Sequence, residues 1–276
     1  MPDRTLRPRS GTSAKALLLT VLGELVLARG GQVWTRTVVR SLGVLGVGEK
    51  NARQAMSRLA DRGLVSSRRI GRQARWHLTE AGRDLLTAGA ERIYRFGESG
   101  DAWDDRWLVV LCSVPEDQRA KRHQLRSRLA FAGFGFLAPG VAVSPHLDRE
   151  PGANAVLVDL DLQAQAVVLR AELGDLVASE QIVHRAWDLD DLASSYLAFL
   201  DHFGRLDPHG DDGAFEALVH LVHAWRRFPF VDPELPEQLL PGDWPGHRAK
   251  QFFEHRRHRW TPGALRFFVD SEGEVP

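Results

Sequence analysis

The most constraining feature of the sequence is a series of three helical patterns at its start, followed by a hairpin pattern. Apolar residues recur at helical spacing in 13–29, 35–42 and 49–62, and glycine follows each of these segments. Residues 64–69 and 74–78 then predict two short strands joined around a glycine. Helix, helix, helix and hairpin is the order of the winged helix-turn-helix, in which one helix enters the major groove of DNA.

Charge is distributed unevenly along the chain, although Lys plus Arg and Asp plus Glu both total 36. Residues 1–97 contain 18 basic and 7 acidic residues, so this part carries a formal charge of +11 and the remainder −11. This concentration of positive charge makes the N-terminal part the candidate for binding a polyanion. An ordinary solvated basic surface is the alternative, which charge alone does not exclude.

The third predicted helix has an apolar face and an opposite face that is polar and cationic. Arginine can bind guanine through two hydrogen bonds and glutamine can bind adenine likewise, so Arg53 and Gln54 are the candidates for base readout. The hairpin places further arginines around Gly71, within reach of DNA phosphates. The predicted DNA-binding residues are Lys50, Asn51, Arg53, Gln54, Ser57, Arg58, Arg68, Arg69, Arg72 and Arg75.

The rest of the chain follows a small, acidic segment at 97–105, which predicts a linker. After it, strand and helix patterns alternate in nearly the order of a ferredoxin-like domain. Within this part we predict a strand at 155–162, a helix at 164–173 and a strand at 181–189, and the first of these is surplus to that order. From residue 192 onward the patterns are helical.

Together these patterns predict an α+β architecture with three domains. The first is an N-terminal winged helix-turn-helix over 1–97. The second is a central ferredoxin-like α/β domain over 98–190, and the third is a C-terminal helical domain over 191–276.

Composition and spacing favour a cytoplasmic binding protein without a cofactor over an enzyme. No apolar run approaches the roughly 18 residues of a membrane span, and the single cysteine, Cys112, lies in an apolar run that suits a reducing compartment. His220 with His223, and His255 with His258, have a spacing that could share a metal. No further ligand completes a tetrahedral set, so we predict no metal site.

One segment near the C-terminal end combines aromatic residues, arginines and prolines. Trp225, Arg226, Arg227 and Phe228 offer positive charge and ring faces at one place, which suits a phosphorylated ligand that carries an aromatic ring. The same residues can instead stiffen a segment that closes the domain. The sequence leaves both explanations open.

Several motifs resemble those of the PaaX family, bacterial repressors of phenylacetate catabolism. They include the helix end at 53–64, Gly71-Arg72 and Leu78-Thr79 in the hairpin, Trp103-Asp104, Pro115-Glu116-Asp117, and the segment 225–244. The resemblance implies a homodimeric regulator that releases its operator when an aryl- or acyl-coenzyme A thioester binds. The hairpin departs from the family's aromatic-rich version, because it carries Gln73-Ala74-Arg75-Trp76.

The family's central region is similar to the ferredoxin-like nuclease subunit of CRISPR spacer acquisition, which makes a metal-dependent nuclease the alternative. Such nucleases carry an aspartate near the end of the first strand, whereas this chain has Leu111-Cys112-Ser113-Val114 there. A constitutive DNA-binding architectural protein is the other alternative. We therefore expect a non-catalytic repressor of an aromatic or acyl catabolic operon. Its expected partners are double-stranded operator DNA, a second copy of the chain and a coenzyme A thioester, with no membrane.

Overall fold

The computed structural model describes residues 13–97 and 103–273, which form an α+β protein with two antiparallel sheets. The described residues divide into two compact units. The first unit draws on 13–95, 197–226 and 248–273, and the second draws on 96–97, 103–196 and 227–247. Each unit therefore combines segments that are far apart in the sequence. Most of the predicted linker at 97–105 lies outside the described residues.

The first unit opens with helices and a small sheet. Its elements are α1 (Ala14–Val21), β1 (Gln32–Trp34), α2 (Thr35–Val44), α3 (Glu49–Asp61), β2 (Val65–Ile70), β3 (Gln73–Leu78) and α4 (Glu80–Tyr94). A π-helical turn at Leu22–Val26 and a 3₁₀ turn at Leu27–Arg29 continue α1. The sheet has the order β1-β3-β2, and both of its strand pairs are antiparallel. The three predicted helices and the two hairpin strands are confirmed as elements.

Helix α4 is fixed against the start of the hairpin by its first turn. The Thr79 hydroxyl accepts a hydrogen bond from the Gly82 amide at 3.1 Å and donates one to the Gly63 carbonyl at 2.6 Å. A Cβ at Gly82 would lie 2.0 Å from the Leu64 carbonyl oxygen. The absence of a side chain at Gly82 therefore lets α4 approach the backbone that leads into β2.

The second unit contains the larger sheet. Its elements are β4 (Arg106–Cys112), α5 (Arg119–Phe131), β5 (Gly135–Ala138), β6 (Val141–Ser144), α6 (Glu150–Asp159), β7 (Ala166–Glu172) and α7 (Ser179–Ala186). The strand order is β5-β6-β4-β7, and every neighbouring pair is antiparallel. Leu108 and Val110 of β4 pack with Leu125 of α5 and Leu157 of α6, so the core lies between the sheet and these helices.

Three sequence predictions in this unit are wrong. The predicted strand at 155–162 lies largely in helix α6, the predicted helix at 164–173 is strand β7, and the predicted strand at 181–189 is mostly helix α7. Short apolar runs fit a buried strand and a buried helix equally well, so periodicity did not separate them. With these three segments corrected, the second unit has the element order strand, helix, strand, strand, helix and strand before α7.

Tertiary contacts explain why these three segments adopt the secondary structure that is observed. Ala153 and Leu157 lie four residues apart on the buried face of α6, which is the spacing of a helix. Strand β7 pairs with β4 from Ala166 to Glu172, and this ladder satisfies its backbone hydrogen-bonding groups. In α7, Ile182 and Val183 are the buried residues on an otherwise polar helix.

Three long helices complete the chain: α8 (Leu189–Gly204), α9 (Gly210–Trp225) and α10 (Pro245–Glu272). In the first unit, Trp225 of α9 stacks on Phe253 of α10 with ring centroids 4.7 Å apart. Arg257 of α10 pairs with Glu24 of the π-helical turn at 3.1 Å, and Arg226 contacts a main-chain carbonyl of α1 at 3.4 Å. Helices from both ends of the chain therefore share one core. Among the described residues, we find no helix with the combined length and apolar character needed to cross a bilayer.

Candidate nucleic-acid interface

The interface is built on a tight turn between α2 and α3. The Val47 amide donates to the Leu42 carbonyl at 2.9 Å and thereby closes the end of α2. Gly46 adopts a φ of +76°, in the left-handed region that favours glycine. The chain can therefore reverse sharply and start α3 at Glu49.

Helix α3 separates its apolar and polar residues onto opposite faces. Ala52, Met56 and Leu59 are each 0% exposed, and the helix packs against α1 and α2. The six residues that the sequence predicted for DNA contact on this helix are all exposed: Lys50, Asn51, Arg53, Gln54, Ser57 and Arg58. The buried face thus fixes the direction in which these side chains point.

Arg53 has a partner on its own helix, at the i,i+4 spacing at which helical side chains pair. Its guanidinium pairs with the Glu49 carboxylate at 2.7 Å, four residues earlier, and both side chains are more than half exposed. An exposed ion pair of this kind contributes little to stability. It nevertheless holds the guanidinium near the first turn of α3. A nucleic acid can displace the Glu49 carboxylate from this guanidinium.

The hairpin presents a second group of arginines. Ile70 pairs with Gln73 at its tip, and Gly71 makes the turn with a φ of +59°. Arg68, Arg69 and Arg72 are exposed around this turn. Because α3 packs against β2, these three arginines and the polar face of α3 belong to neighbouring elements.

Arg75 differs in burial and packing from the other hairpin arginines that are predicted to contact DNA. It pairs with Trp34 across β1 and β3, and its guanidinium carbon lies 5.2 Å from the centroid of the Trp34 ring. Arg75 is half-buried, whereas the other hairpin arginines are exposed. Its position is that of a side chain that stabilises the hairpin by a cation–π contact.

The hairpin is also attached to the start of α2. The Trp76 indole N–H donates to the Thr35 hydroxyl at 2.9 Å, and this hydroxyl donates to the Ala74 carbonyl at 3.1 Å. Sequence reasoning missed Thr35 and Trp34, because their partners lie about 40 residues away and only the β1–β3 pairing brings them together. The chain of hydrogen bonds fixes the hairpin relative to the helices.

Comparisons with known proteins identify the family of this chain. Three family models match consecutive segments: "PaaX-like protein" over 13–82, "PaaX protein central Cas2-like domain" over 100–183 and "PaaX-like protein C-terminal domain" over 187–270. The transcriptional repressor PaaX of Escherichia coli (strain K12) is 31% identical over 98% of this chain and 87% of that protein. The chain belongs to the PaaX family.

A solved structure resembles this PaaX-family chain over almost its whole length. It is the uncharacterized protein Rv0674 from Mycobacterium tuberculosis, with a TM-score of 0.66 that covers 95% of this chain and 99% of the other. The two sequences are 21% identical. At that identity the likeness shows a shared fold.

The segment predicted to bind an effector has a different environment from the residues predicted to contact DNA. Trp225 is buried against a phenylalanine of α10, and Phe228 stacks on Tyr196 with ring centroids 4.2 Å apart. Arg226 contacts α1, whereas Arg227 is exposed. Both rings already pack inside the protein, so a ligand at this segment stays a prediction.

One of the two histidine pairs with a spacing that could share a metal, His220 and His223, lies half-buried on helix α9. Burial lowers the pKa of His220, and it lowers the pKa of His223 to about 4 with help from the charge of Arg226. Both side chains are therefore neutral near pH 7. Within 13–97 and 103–273, His, Cys, Asp and Glu side chains form no group of three that could hold a metal ion.

We expect the two kinds of hairpin arginine to differ in their effect on stability. Arg75→Ala should lower the free energy of unfolding by about 1 kcal/mol, because it removes the contact with Trp34. Arg72→Ala removes the same charge from the exposed turn and should change that free energy by less than about 0.5 kcal/mol. Urea unfolding of both variants measures the difference. Equal decreases in both variants, or no decrease in Arg75→Ala, would contradict the structural role of Arg75.

Proposed function

We propose that this protein is a DNA-binding transcriptional repressor that contacts duplex DNA with α3 and the β2–β3 hairpin. The observation that carries the proposal is the row of six exposed polar or cationic side chains on α3, with three exposed arginines on the neighbouring hairpin. The relative from Escherichia coli is a transcriptional repressor by name, which supports the same role here.

The proposed architecture has three parts. The order α1, α2, α3, β2, β3 supports a winged helix-turn-helix within 1–97. The strand order β5-β6-β4-β7, with α5 and α6 packed on one face, supports a ferredoxin-like domain within 98–190. The helical part proposed over 191–276 is described to residue 273, and its α9 and most of α10 pack with the N-terminal helices.

The proposed interface contacts both base edges and phosphates, and the two kinds of contact have different roles. Side chains near the start of a recognition helix reach base edges in the major groove, where Arg53 suits guanine and Gln54 suits adenine. The hairpin arginines contact phosphates, which carry the same charge at every base pair and therefore give no sequence preference. Affinity then comes largely from the hairpin and sequence preference from α3.

We propose that two copies of the chain bind together, since a symmetric dimer can occupy two half-sites and gain affinity from both. The protein then acts by occupying DNA, without a catalytic step. Occupancy of an operator is sufficient for repression.

The proposed effector is an aryl- or acyl-coenzyme A thioester, and the proposed targets are genes of an aromatic or acyl catabolic operon. Both proposals come from resemblance to the PaaX family. The exposed Arg227 can reach a ligand phosphate directly, whereas Trp225 and Phe228 would have to leave their packed positions to stack on adenine. Such a ligand regulates only if it prefers the conformation that binds DNA less tightly.

Variants of the hairpin and of α3 should weaken DNA binding in different ways. The double variant Arg69→Ala, Arg72→Ala should weaken binding to every duplex similarly and reduce the salt slope by about 1 for each phosphate that no longer has an arginine partner. Arg53→Ala or Gln54→Ala should cost roughly 1 to 3 kcal/mol on the operator and little on random DNA. Fluorescence anisotropy on an operator selected from a random pool, and on a random duplex, measures both effects across salt concentrations.

Arg185→Ala provides the matched control, because it removes an exposed arginine from α7. This variant should leave binding to both duplexes unchanged. An equal decrease in affinity for both duplexes in the α3 variants would contradict base readout by this helix. A wild-type protein that binds neither duplex would overturn the proposed function.

A coenzyme A thioester should weaken operator binding, and operator DNA should weaken thioester binding by the same factor. Titration of a panel of aryl- and acyl-coenzyme A compounds, with and without operator, measures both sides of this equality. Arg227→Ala should reduce the response if its guanidinium binds a ligand phosphate. Operator affinity that no thioester in the panel changes would instead favour a constitutive DNA-binding architectural protein.

A further inference from the structure

The carboxyl end of α10 packs against α2, the helix that precedes the proposed recognition helix. Phe267 and Phe268 in the last turns of α10 are buried, and the Arg40 guanidinium carbon of α2 lies 5.2 Å from the Phe267 ring centroid. Thr37 of α2 is 0% exposed and Ser271 of α10 is 5% exposed. The two helices therefore meet at a buried contact between segments more than 200 residues apart.

Side chains of α2 and its surroundings satisfy the last carbonyl groups of α10. The Thr37 hydroxyl donates to the Ser271 carbonyl at 3.0 Å, and the Arg36 guanidinium donates to the Glu272 carbonyl. Arg29 pairs with the Glu272 carboxylate at 3.1 Å. The final carbonyls of a helix have no partner within the helix, so these donors replace the missing hydrogen bonds. Positive charge at a helix carboxyl end is also favourable for its dipole.

The end of α10 is shaped for this close approach. Gly273 leaves the helix with a φ of +62°, which is the left-handed conformation of a helix C-cap. A Cβ at Gly273 would lie 3.1 Å from the Arg36 guanidinium. The Ser271 hydroxyl donates to the Phe267 carbonyl of its own helix at 2.7 Å. The Ser271 carbonyl lies in the last turn, where the helix offers it no amide partner, and it accepts from Thr37 instead.

We propose that Thr37 is a positioning residue for DNA binding, and that the last turn of α10 holds α2 in the place that the recognition helix requires. Helix α2 packs directly on α3, so a shift of α2 moves the exposed face of α3. The inference rests on the proposed function. It adds that operator affinity depends on the end of α10, far from the DNA-contact residues in sequence.

The test compares Thr37→Val with Thr37→Ser in the full-length protein. Valine has nearly the shape of threonine but removes the buried donor, whereas serine keeps the hydroxyl. Thr37→Val should weaken operator binding by up to about fivefold, because loss of one net hydrogen bond lowers the population of correctly placed α2 by at most that factor, and Thr37→Ser should restore most of the affinity. The salt slope should stay that of the wild type, because no phosphate contact is removed.

A second variant ends the chain after Val269 and removes the capped carbonyls together with Asp270, Glu272 and Glu274. Removal of these negative charges alone would strengthen attraction to DNA. The positioning role predicts the opposite, weaker operator binding. Operator affinity equal to or above that of the wild type would overturn the proposal.

Amide hydrogen exchange gives a readout that needs no DNA. In Thr37→Val, exchange should accelerate in α2, while exchange in β4 of the second unit stays unchanged as an internal control. Faster exchange in α2 with unchanged operator affinity would overturn the positioning role and leave a purely structural contact. A wild-type protein that binds no duplex overturns the proposed function, and the exchange data alone then decide whether α10 holds α2.

Discussion

The arrangement of the proposed interface depends on the burial of one face of α3. Ala52, Met56 and Leu59 are completely buried, and α3 packs against α1, α2 and β2. Burial of each large apolar side chain stabilises the fold by about 1.5 to 3 kcal/mol. Rotation of α3 about its axis would expose these residues, so the rotation is opposed by several kcal/mol. The polar face therefore keeps one direction, and Arg53 and Gln54 have a defined orientation before any DNA arrives. Such preorganisation reduces the conformational entropy that is lost on binding.

The same core continues into the C-terminal helices. Glu24 lies in the π-helical turn after α1 and pairs with Arg257 of α10, whose guanidinium carbon lies 4.2 Å from the Tyr94 ring centroid. Burial raises the pKa of Glu24, and the nearby charge of Arg257 opposes that rise. Removal of either partner would leave a desolvated charge or an unfilled space. Because the pair joins helices from both ends of the chain, a ligand that moves α10 would act on the core that supports α3.

The sequence was sufficient to predict the elements whose pattern is local. Within 13–78 there are three segments with apolar residues at helical spacing, the glycine turns that follow them, and the Gly71 hairpin. The exposed residues of α3 follow directly from the period of its apolar residues. Long-range pairing was not predictable in this way: β7 becomes a strand because β4 lies beside it, and α6 becomes a helix because its buried residues meet the sheet. Arg75 is predicted as a DNA contact from its place near the hairpin turn, and that stays a prediction; its packing on Trp34 depends on the β1–β3 ladder and has no local signal. The contact of Thr37 with the end of α10 joins residues 234 positions apart, beyond the reach of any local pattern.

A dimer that reads a specific site with α3 and the hairpin should leave a symmetric footprint on DNA. Hydroxyl-radical footprinting of the full-length protein on the DNA upstream of its neighbouring genes measures this pattern. We expect two protected segments related by a two-fold axis, with centres separated by about 10 base pairs or a multiple of that spacing. Arg53→Ala should raise the protein concentration needed for this footprint by roughly 5- to 150-fold, the factor that corresponds to a loss of about 1 to 3 kcal/mol, while non-specific binding through the hairpin arginines changes little. Protection spread evenly along the duplex, or an Arg53→Ala footprint that needs no more protein than the wild type, would contradict specific readout by α3.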